Sequence, residues 1–234
     1  MTSNKQVSRT ESPEIGALIT WPRRYRLLTD VHFMGRAGTL IRHLATASGI
    51  RPGDHAIDIG CGPGRLANEL ARQAGPQGRV LGIDPAAEMI SYASAHAAPN
   101  CRFELGAAQS LSQPDASFDV VTSTFAIHHI PQSQRRAALE TAFRVLRPGG
   151  RLLLADGHPS GGRLGGLAFR AMALVVAHRD MHGGGGSHGH GGAEGNDALD
   201  VRRYRPLLNE IGFTAVDFKL GPFSVGILTA VKPD

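Results

Sequence analysis

The part of the sequence best suited to chemistry is a glycine-rich turn that follows a short apolar run. The turn is Gly60-Cys61-Gly62-Pro63-Gly64, and the run before it extends from His55 to Gly60. Glycine permits a tight turn and leaves bare backbone against which a ligand can lie. Asp58 stands just before the turn, where its carboxylate can cap or order the turn, or reach the amino group of a ligand through water. The pattern predicts a ligand-binding turn.

A second acidic residue is placed to hold a sugar. Asp84 ends the next apolar run, Arg79–Asp84, and lies 20 residues after Gly64. A carboxylate at this point of a strand–helix–strand unit accepts hydrogen bonds from the hydroxyls of a ribose. Dinucleotide-binding turns have the pattern G-x-G-x-x-G, whereas this turn is G-x-G-x-G followed by Arg65. The spacing therefore predicts a nucleoside ligand other than NAD or FAD.

Two adjacent histidines, His128 and His129, follow the fourth apolar run at 118–124. Ligands bind at the carboxyl ends of the strands of an open α/β sheet, and imidazole titrates near neutral pH. Both are therefore candidate catalytic residues, one of them as a general base. Two adjacent side chains cannot face the same way, so at least one is expected to be buried and hydrogen-bonded. Catalysis by positioning alone remains the alternative.

A second group of histidines lies in the glycine-rich stretch 178–195: His178, His182, His188 and His190. His178 and His182 could share a helix face, but the only carboxylates at useful spacing are Asp180 and Glu194. The glycines impose no geometry on these ligands, so no metal site is predicted. The stretch is expected to be a flexible tether, because such a composition cannot bury enough surface to offset its chain entropy.

Short apolar runs alternate with helical patterns along the chain, which predicts an α/β fold. The predicted strands are 55–60, 79–84, 101–105, 118–124, 151–156, 213–219 and 224–231. The predicted helices are 25–48, broken near Gly35, then 65–74, 85–97, 133–146 and 199–211. The expected architecture is a Rossmann-like, seven-stranded, mostly parallel sheet with helices on both faces and a C-terminal antiparallel hairpin.

The domain organisation follows from the same pattern. Residues 1–20 are polar and aperiodic, so they are expected to form a flexible N-terminal tail, and 21–234 a single domain. Residues 157–198 interrupt the alternation as an insertion. The apolar spacing from Leu164 to Val175 predicts an amphipathic helix in this insertion. This helix is expected to act as a lid and to form one wall of an acceptor pocket. The N-terminal helices and the region after the fourth strand are expected to form the rest of that pocket.

Composition limits the class of protein. The chain has 234 residues, of which 41% are apolar and 19% charged, so it can bury a core. Two cysteines rule out a disulfide scaffold and indicate a reducing, cytoplasmic setting. No apolar stretch reaches the length of a membrane span. The net charge of +5 comes almost entirely from arginine, without an RNA-binding signature, so nucleic acid is not the expected partner.

Four motifs together resemble the class I S-adenosylmethionine (SAM) methyltransferases, and most closely the small-molecule branch that includes the ubiquinone/menaquinone methylases. The motifs are Ala56–Arg65, Val80–Asp84, Phe118–Val121 with Phe125–Ile130, and Arg144–Arg151. They occur in the order and at the spacing of that family and span about residues 25–231. The resemblance implies SAM as the cofactor.

The resemblance also implies roles for individual residues. The cofactor-binding set it gives is Tyr25, Asp58, Gly60, Cys61, Gly62, Asp84, Pro85, Met89, Ala107, Ala108, Thr124 and Phe125. Within it, the glycine turn lines the methionine part, Asp84 holds the ribose, and Pro85 and Met89 lie beside the adenine. The Thr124 carbonyl and the Phe125 ring face the sulfonium.

At three positions the comparison with the family needs comment. Tyr25 matches a tyrosine on an N-terminal helix that closes over the cofactor, although core packing would explain it equally. The family often has aspartate at the position of Ala107, so adenine recognition must come from elsewhere. Arg26 also stands where relatives often carry aspartate.

The expected function is therefore SAM-dependent methyl transfer to an O, N or C atom of a small-molecule acceptor, by a monomer or homodimer. Two alternatives stay open. One is methylation of RNA or protein, which the arginine excess mildly favours. The other is a SAM-binding protein that does not transfer the methyl group.

Overall fold

A seven-stranded sheet carries the fold in the computed structural model, which describes residues 16, 18–158 and 199–234. The strands are β1 (His55–Ile59), β2 (Arg79–Asp84), β3 (Cys101–Leu105), β4 (Phe118–Thr124), β5 (Leu146–Gly157), β6 (Thr214–Leu220) and β7 (Val225–Val231). Their order across the sheet is β3-β2-β1-β4-β5-β7-β6. Strands β1 to β5 pair in parallel, whereas β7 is antiparallel to both β5 and β6. The predicted sheet and its C-terminal hairpin are confirmed.

The helices are α1 (Pro22–His32), α2 (Ala37–Ala47), α3 (Arg65–Ala74), α4 (Ala87–Ser94), α5 (Gln132–Val145) and α6 (Arg205–Ile211). The break predicted near Gly35 separates α1 from α2. Residues 159–198, which include the predicted lid helix and the histidine-rich stretch, lie outside the described residues.

Several boundaries differ from the sequence prediction. Helix α4 begins after Pro85 because Ala86 is extended (φ −92°, ψ 114°). Strand β5 begins at Leu146 and not at Arg151, so Pro148, Gly149 and Gly150 lie inside the strand. The predicted helix 199–211 is divided into a 3₁₀ turn at Val201–Tyr204 and the shorter α6.

The core lies on both faces of the sheet because successive strand residues point to opposite sides. Ile57, Val121 and Leu152 pack with the buried residues of α5 and α6. Their neighbours Ala56 and Val120 pack with α2 and α3 on the other face. Helices therefore cover both faces, as predicted.

The sheet order also fixes where a ligand can bind. Strand β1 is central, with β2 on one side and β4 on the other. The chain thus reverses its direction of travel across the sheet between β3 and β4, which is the topological switch point where open α/β sheets bind ligands. The carboxyl ends of β1, β2 and β4 gather at one edge there.

Candidate active site

A cavity of about 170 Å³ lies at this edge of the sheet. Its lining includes every residue that the resemblance assigned to the cofactor: Tyr25, Asp58, Gly60, Cys61, Gly62, Asp84, Pro85, Met89, Ala107, Ala108, Thr124 and Phe125. These residues come from the ends of three strands, from the segments that follow them and from α1. The fold therefore brings together positions that lie up to 100 residues apart in the sequence.

The carboxylate of Asp84 is held in a fixed orientation at the end of β2. Its Oδ2 accepts a hydrogen bond from the backbone N–H of Gly62, and its Oδ1 accepts one from that of Ala86, both at 2.9 Å. Burial raises the pKa of Asp84 above its ordinary value. Each carboxylate oxygen retains a further lone pair, so the group can accept two more hydrogen bonds from a ligand.

The glycine turn is fastened to the neighbouring strand. The N–H groups of Gly60 and Cys61 donate to the carbonyl of Ile83, at 2.8 and 3.0 Å. Gly60 has a φ of 73°, and a Cβ there would stand 2.4 Å from the Cβ of Ala126. Gly62 has a φ of 51°, but no atom lies within 4 Å of the place its Cβ would take. Gly60 is thus required by packing, whereas Gly62 leaves open space beside the cavity.

Asp58 is a buried acid beneath the turn, with only 1% of its surface exposed. Its Oδ1 accepts a hydrogen bond from the hydroxyl of Thr122 at 2.7 Å. Burial is the main reason that the pKa of Asp58 is raised to about 7, and the nearby charge of Asp84 raises it further. Asp58 and Asp84 both line the cavity, and Asp58 is about half ionised at neutral pH, so this part of the lining favours a cationic ligand.

Helix α1 lies over the cavity and is attached on two sides. Arg65, the first residue of α3, forms an ion pair with Asp30 at 2.7 Å. Arg26 donates a hydrogen bond to the hydroxyl of Tyr92 on α4 at 2.8 Å. Arg26, which departs from the resembling family, therefore has a structural role here.

Tyr25 points from α1 into the cavity lining. Burial raises the pKa of its phenol to about 12, with further contributions from the charges of Asp156 and Asp84. The phenol is therefore protonated at neutral pH and available as a hydrogen-bond donor.

Phe125 follows β4 in a left-handed conformation with φ of 53°. Such a conformation in a bulky residue costs free energy and persists only where surrounding contacts impose it. Its N–H donates to the carbonyl of Ala155 at 2.8 Å. Its ring packs 6.1 Å from the ring of Phe33, which in turn packs 5.5 Å from Phe223. These contacts turn Phe125 toward the cavity.

The two candidate catalytic histidines are placed differently. His129 lines the cavity, and burial, assisted by His128, lowers its pKa to about 3. His128 is not among the lining residues; its Nδ1 hydrogen-bonds to Oδ2 of Asp156 at 2.5 Å. Of the two, only His129 lines the cavity, although the two rings pack together with centroids 4.0 Å apart.

One part of the cavity is apolar and was not predicted residue by residue. Its lining comprises Leu18, Ile19, Phe33, Leu40, Ile41, Ile130 and Pro131. These residues come from the chain before α1, from α1–α2 and from the segment after β4. The sequence prediction expected an acceptor pocket in this general region, but apolar residues carry no signal that separates a pocket wall from ordinary core.

Four polar lining residues were also missed: Thr29, Arg65, Gln109 and Ser123. Gln109 lies two positions after Ala107, where the resembling family often has aspartate. A polar residue in a short segment between strands was the only available signal for it.

Two further observations bear on the chemistry. Among the described residues, no cluster of three or more histidine, cysteine or acidic side chains is arranged to hold a metal ion. None of the helices in that part of the chain is long and apolar enough to cross a membrane.

The sheet order, the glycine turn and the fixed Asp84 carboxylate agree with the resemblance to class I methyltransferases. Residues 56–150 match the family model of the methyltransferase domain. The matched residues are 95 of the 234 in the chain, and the match supports a class I SAM-dependent methyltransferase. Among solved structures, it resembles a SAM-dependent methyltransferase from Aquifex aeolicus, with TM-score 0.64 and 16% identity over 91% of this chain and 98% of that one. It also resembles magnesium protoporphyrin IX methyltransferase from Synechocystis, with TM-score 0.60 and 19% identity over 90% of this chain and 93% of that one.

Curated relatives are more similar in sequence but only over part of their length. The ubiquinone/menaquinone biosynthesis C-methyltransferase of Hydrogenovibrio crunogenus is 31% identical over 56% of this chain and 53% of its own. The corresponding protein of Hahella chejuensis is 33% identical over 65% of this chain and 63% of its own. An arsenite methyltransferase of Halobacterium salinarum is 38% identical over 45% of this chain and 27% of its own. The chain thus covers less than two thirds of each of these relatives.

Proposed function

We propose that this protein transfers a methyl group from SAM to an O, N or C atom of a small-molecule acceptor. The observation that carries the proposal is the Asp84 carboxylate. It is held by two backbone N–H groups at the end of β2 and faces the same cavity as the glycine turn. A second part of that cavity is apolar and available to an acceptor.

The residues present fit SAM. The open space beside Gly62 gives a ligand access to bare backbone. The free lone pairs of Asp84 suit the two hydroxyls of a ribose, and Pro85 and Met89 line the neighbouring wall where an adenine would lie. The acidic side of the cavity suits the positive charge of the sulfonium and amino groups. When bound, SAM supplies an electrophilic methyl group.

The protein's own contribution is alignment and exclusion of water. Tyr25 from α1, Phe33 directly after α1 and Phe125 after β4 line the cavity together with the glycine turn. Holding two reactants in line removes much of the entropic part of a bimolecular barrier. No acid–base step is required for an acceptor that is already nucleophilic.

Both histidines act on the acceptor side in this proposal. His129 touches the acceptor as a neutral imidazole, because its pKa of about 3 leaves it unprotonated at neutral pH. It then orients an acceptor hydroxyl or amine by hydrogen bonding. His128 acts through His129 as a positioning residue, since its ring packs against the ring of His129, with centroids 4.0 Å apart.

The acceptor is a small, largely apolar molecule. Leu18, Ile19 and Ile130 surround the space left for it. Arg65, which also lines the cavity, is paired with Asp30, so its charge is already neutralised. A thiol-dependent acceptor such as arsenite does not fit, because Cys61 and Cys101 are buried and burial raises the pKa of both thiols. Both are free thiols, which supports a cytoplasmic location.

The test measures SAM binding by calorimetry and formation of S-adenosylhomocysteine with a panel of apolar hydroxy, amino and enol compounds. Asp84→Ala removes the acceptor of two charge-assisted hydrogen bonds, so SAM affinity is expected to fall at least about tenfold. Asp217→Ala is the control, since Asp217 is an exposed carboxylate on β6. Unchanged affinity in a folded Asp84→Ala variant contradicts the cofactor site.

The same assay separates the alternatives. Turnover with bulk RNA or a protein substrate, and none with the panel, would support a macromolecular acceptor. SAM binding without turnover on any acceptor would support a binding protein. Turnover with a panel compound supports the proposal.

A further inference from the structure

The outer face of helix α1 has an unusual composition for a solvent-exposed surface. Leu27, Val31 and Met34 are 64%, 69% and 74% exposed. They account for three of the five large hydrophobic residues that are exposed in the described part of the chain. Leu27 and Val31 are one helical turn apart, and Met34 lies in the turn directly after α1. Large exposed apolar groups that gather on one surface indicate an interaction site.

The same face is cationic. Arg23 and Arg24 are exposed, and with Leu27 and Val31 they fall within an arc of about 100° around the helix axis. Arg36, also exposed, follows Met34. The one acidic residue of α1, Asp30, is neutralised by its ion pair with Arg65. We call the surface formed by Arg23, Arg24, Leu27, Val31, Met34 and Arg36 the outer face of α1.

We propose that the outer face of α1 docks on an anionic lipid surface. Helices that lie in a membrane interface combine an apolar stripe with basic residues, and their binding sums apolar burial and attraction to acidic headgroups. The outer face of α1 has both features, and the helix is too short to cross the bilayer. The attachment is therefore peripheral.

Charge distinguishes this partner from two others. Self-association through this face would bring Arg23 and Arg24 of one copy close to arginines of the other. Residues 159–198 of this chain carry three arginines and three carboxylates in their sequence, so they have no net charge to complement the face. An anionic lipid surface is complementary to it.

The arrangement has a consequence for the cavity. The inner side of α1 supplies Tyr25 and Thr29 to the cavity lining, and Phe33 directly after the helix joins them. Docking by the outer face would hold the apolar part of the cavity close to the lipid, which suits an acceptor that partitions into membranes. The lipid contact itself stands without the proposed methyl transfer, because none of the outer-face residues lines the cavity.

The test is co-sedimentation of the full chain with large vesicles, either of phosphatidylcholine alone or with roughly one third phosphatidylglycerol. Binding is expected to the anionic vesicles and to weaken as salt is added. The variant Leu27→Gln/Val31→Gln/Met34→Gln removes the apolar stripe and should reduce partitioning at least about tenfold. Arg23→Gln/Arg24→Gln should reduce it about fivefold (~1 kcal/mol) per arginine at low salt.

Matched controls keep the test specific. Leu105→Gln removes a leucine that is 63% exposed at the end of β3, and Arg79→Gln/Arg102→Gln removes two exposed arginines on strands. All controls should bind vesicles like the parent protein. Circular dichroism and the thermal midpoint show that each variant is folded.

Several outcomes overturn the proposal. The first is that the parent protein does not bind anionic vesicles. The second is that the arginine variant loses binding whereas the apolar variant keeps it. The latter indicates a simple cationic patch that would equally bind RNA. A parent dimer in sedimentation velocity that the apolar variant dissociates, without vesicle binding, assigns the face to self-association. If the parent protein does not bind vesicles and the apolar variant has a lowered thermal midpoint, the outer face of α1 packs against another part of this chain.

Discussion

The Nδ1 atom of His128 lies 2.5 Å from Oδ2 of Asp156, a carboxylate near the end of β5 that is 1% exposed. This hydrogen bond holds His128 outside the cavity lining and against the ring of His129, which does line the cavity. Two histidines that are adjacent in the sequence are thereby given separate positions. We infer that His129 contacts the acceptor and that His128 orients it.

We expect His129 to act without taking up a proton. Because its pKa is lowered to about 3, the ring is neutral between about pH 5 and 8, and kcat/KM should show no ascending limb near 6.5 from this residue. His129→Gln should retain turnover within about tenfold, whereas loss of a general base typically costs ~10²–10⁴-fold. Steady-state kinetics across pH, with the exposed His96→Gln as control, provide the measurement. A loss of that larger size with unchanged SAM affinity would assign His129 as the base.

Asp58 should make folding stability depend on pH with a definite sign. Its pKa rises from 3.8 to about 7 on folding, so the folded protein holds this proton more tightly than the unfolded chain. Its contribution to stability is fully present below about pH 4 and is lost as the pH rises to about 7. Asp58→Asn should therefore be more stable than the parent at pH 8, by up to a few kcal/mol, with the difference shrinking toward pH 5. Urea unfolding of both ligand-free proteins at each pH measures this difference in the free energy of unfolding.

Asp119→Asn is the matched control of opposite sign. Although burial opposes it, hydrogen bonds from the His55 N–H and Arg147 lower the pKa of Asp119. Its contribution is present above the unfolded pKa and is lost as the pH falls. This variant should be less stable than the parent at pH 8. Equal pH profiles for Asp58→Asn and the parent would show that Asp58 titrates normally in the folded protein.

Gly62 and Gly53 provide a comparison of ligand access. Both have positive φ, 51° and 88°, and neither has an atom within 4 Å of its would-be Cβ. Alanine at either position should cost about 1 kcal/mol of stability through backbone strain. Only Gly62 lines the cavity, so only Gly62→Ala should also weaken SAM binding, by about tenfold or more. Equal SAM affinities in both variants, measured by calorimetry, would remove the glycine turn from the site.

The Asp30–Arg65 ion pair should control the mobility of α1 more than the stability of the whole fold. The two side chains are 41% and 24% exposed, and such pairs contribute about 0.2–1 kcal/mol. Asp30→Ala should increase amide hydrogen exchange in α1 and raise the SAM Kd a few-fold at low salt. Glu69→Ala, which breaks the Glu69–Arg72 pair on α3, should leave both unchanged. If exchange in α1 is unaffected by Asp30→Ala, the pair does not hold the helix over the cavity.

Much of the fold could be predicted from the sequence because its signals are local. Apolar runs of five to seven residues identified most strands with nearly correct bounds, and glycine and proline marked their ends. The start of β5 was predicted at Arg151 but lies at Leu146, because pairing of Leu146 with Phe118 of β4 decided it, and that contact is remote in sequence. The family motifs identified the predicted cofactor-binding residues as a group, and the parallel sheet places the ends of their strands at one edge.

The sequence by itself determined the order of elements, the glycine turn and the acidic residue that follows β2, since each depends on residues close together in the chain. Only the tertiary structure decided which of two adjacent histidines faces the cavity, because the partner of His128 is 28 residues away. The left-handed backbone of Phe125 likewise depends on packing against Phe33, from another part of the chain. The sequence pattern also did not reveal that Leu27 and Val31 are exposed, since apolar residues alone do not show which side of a helix packs against the core. Contacts between distant segments settle such questions, and local sequence does not encode them.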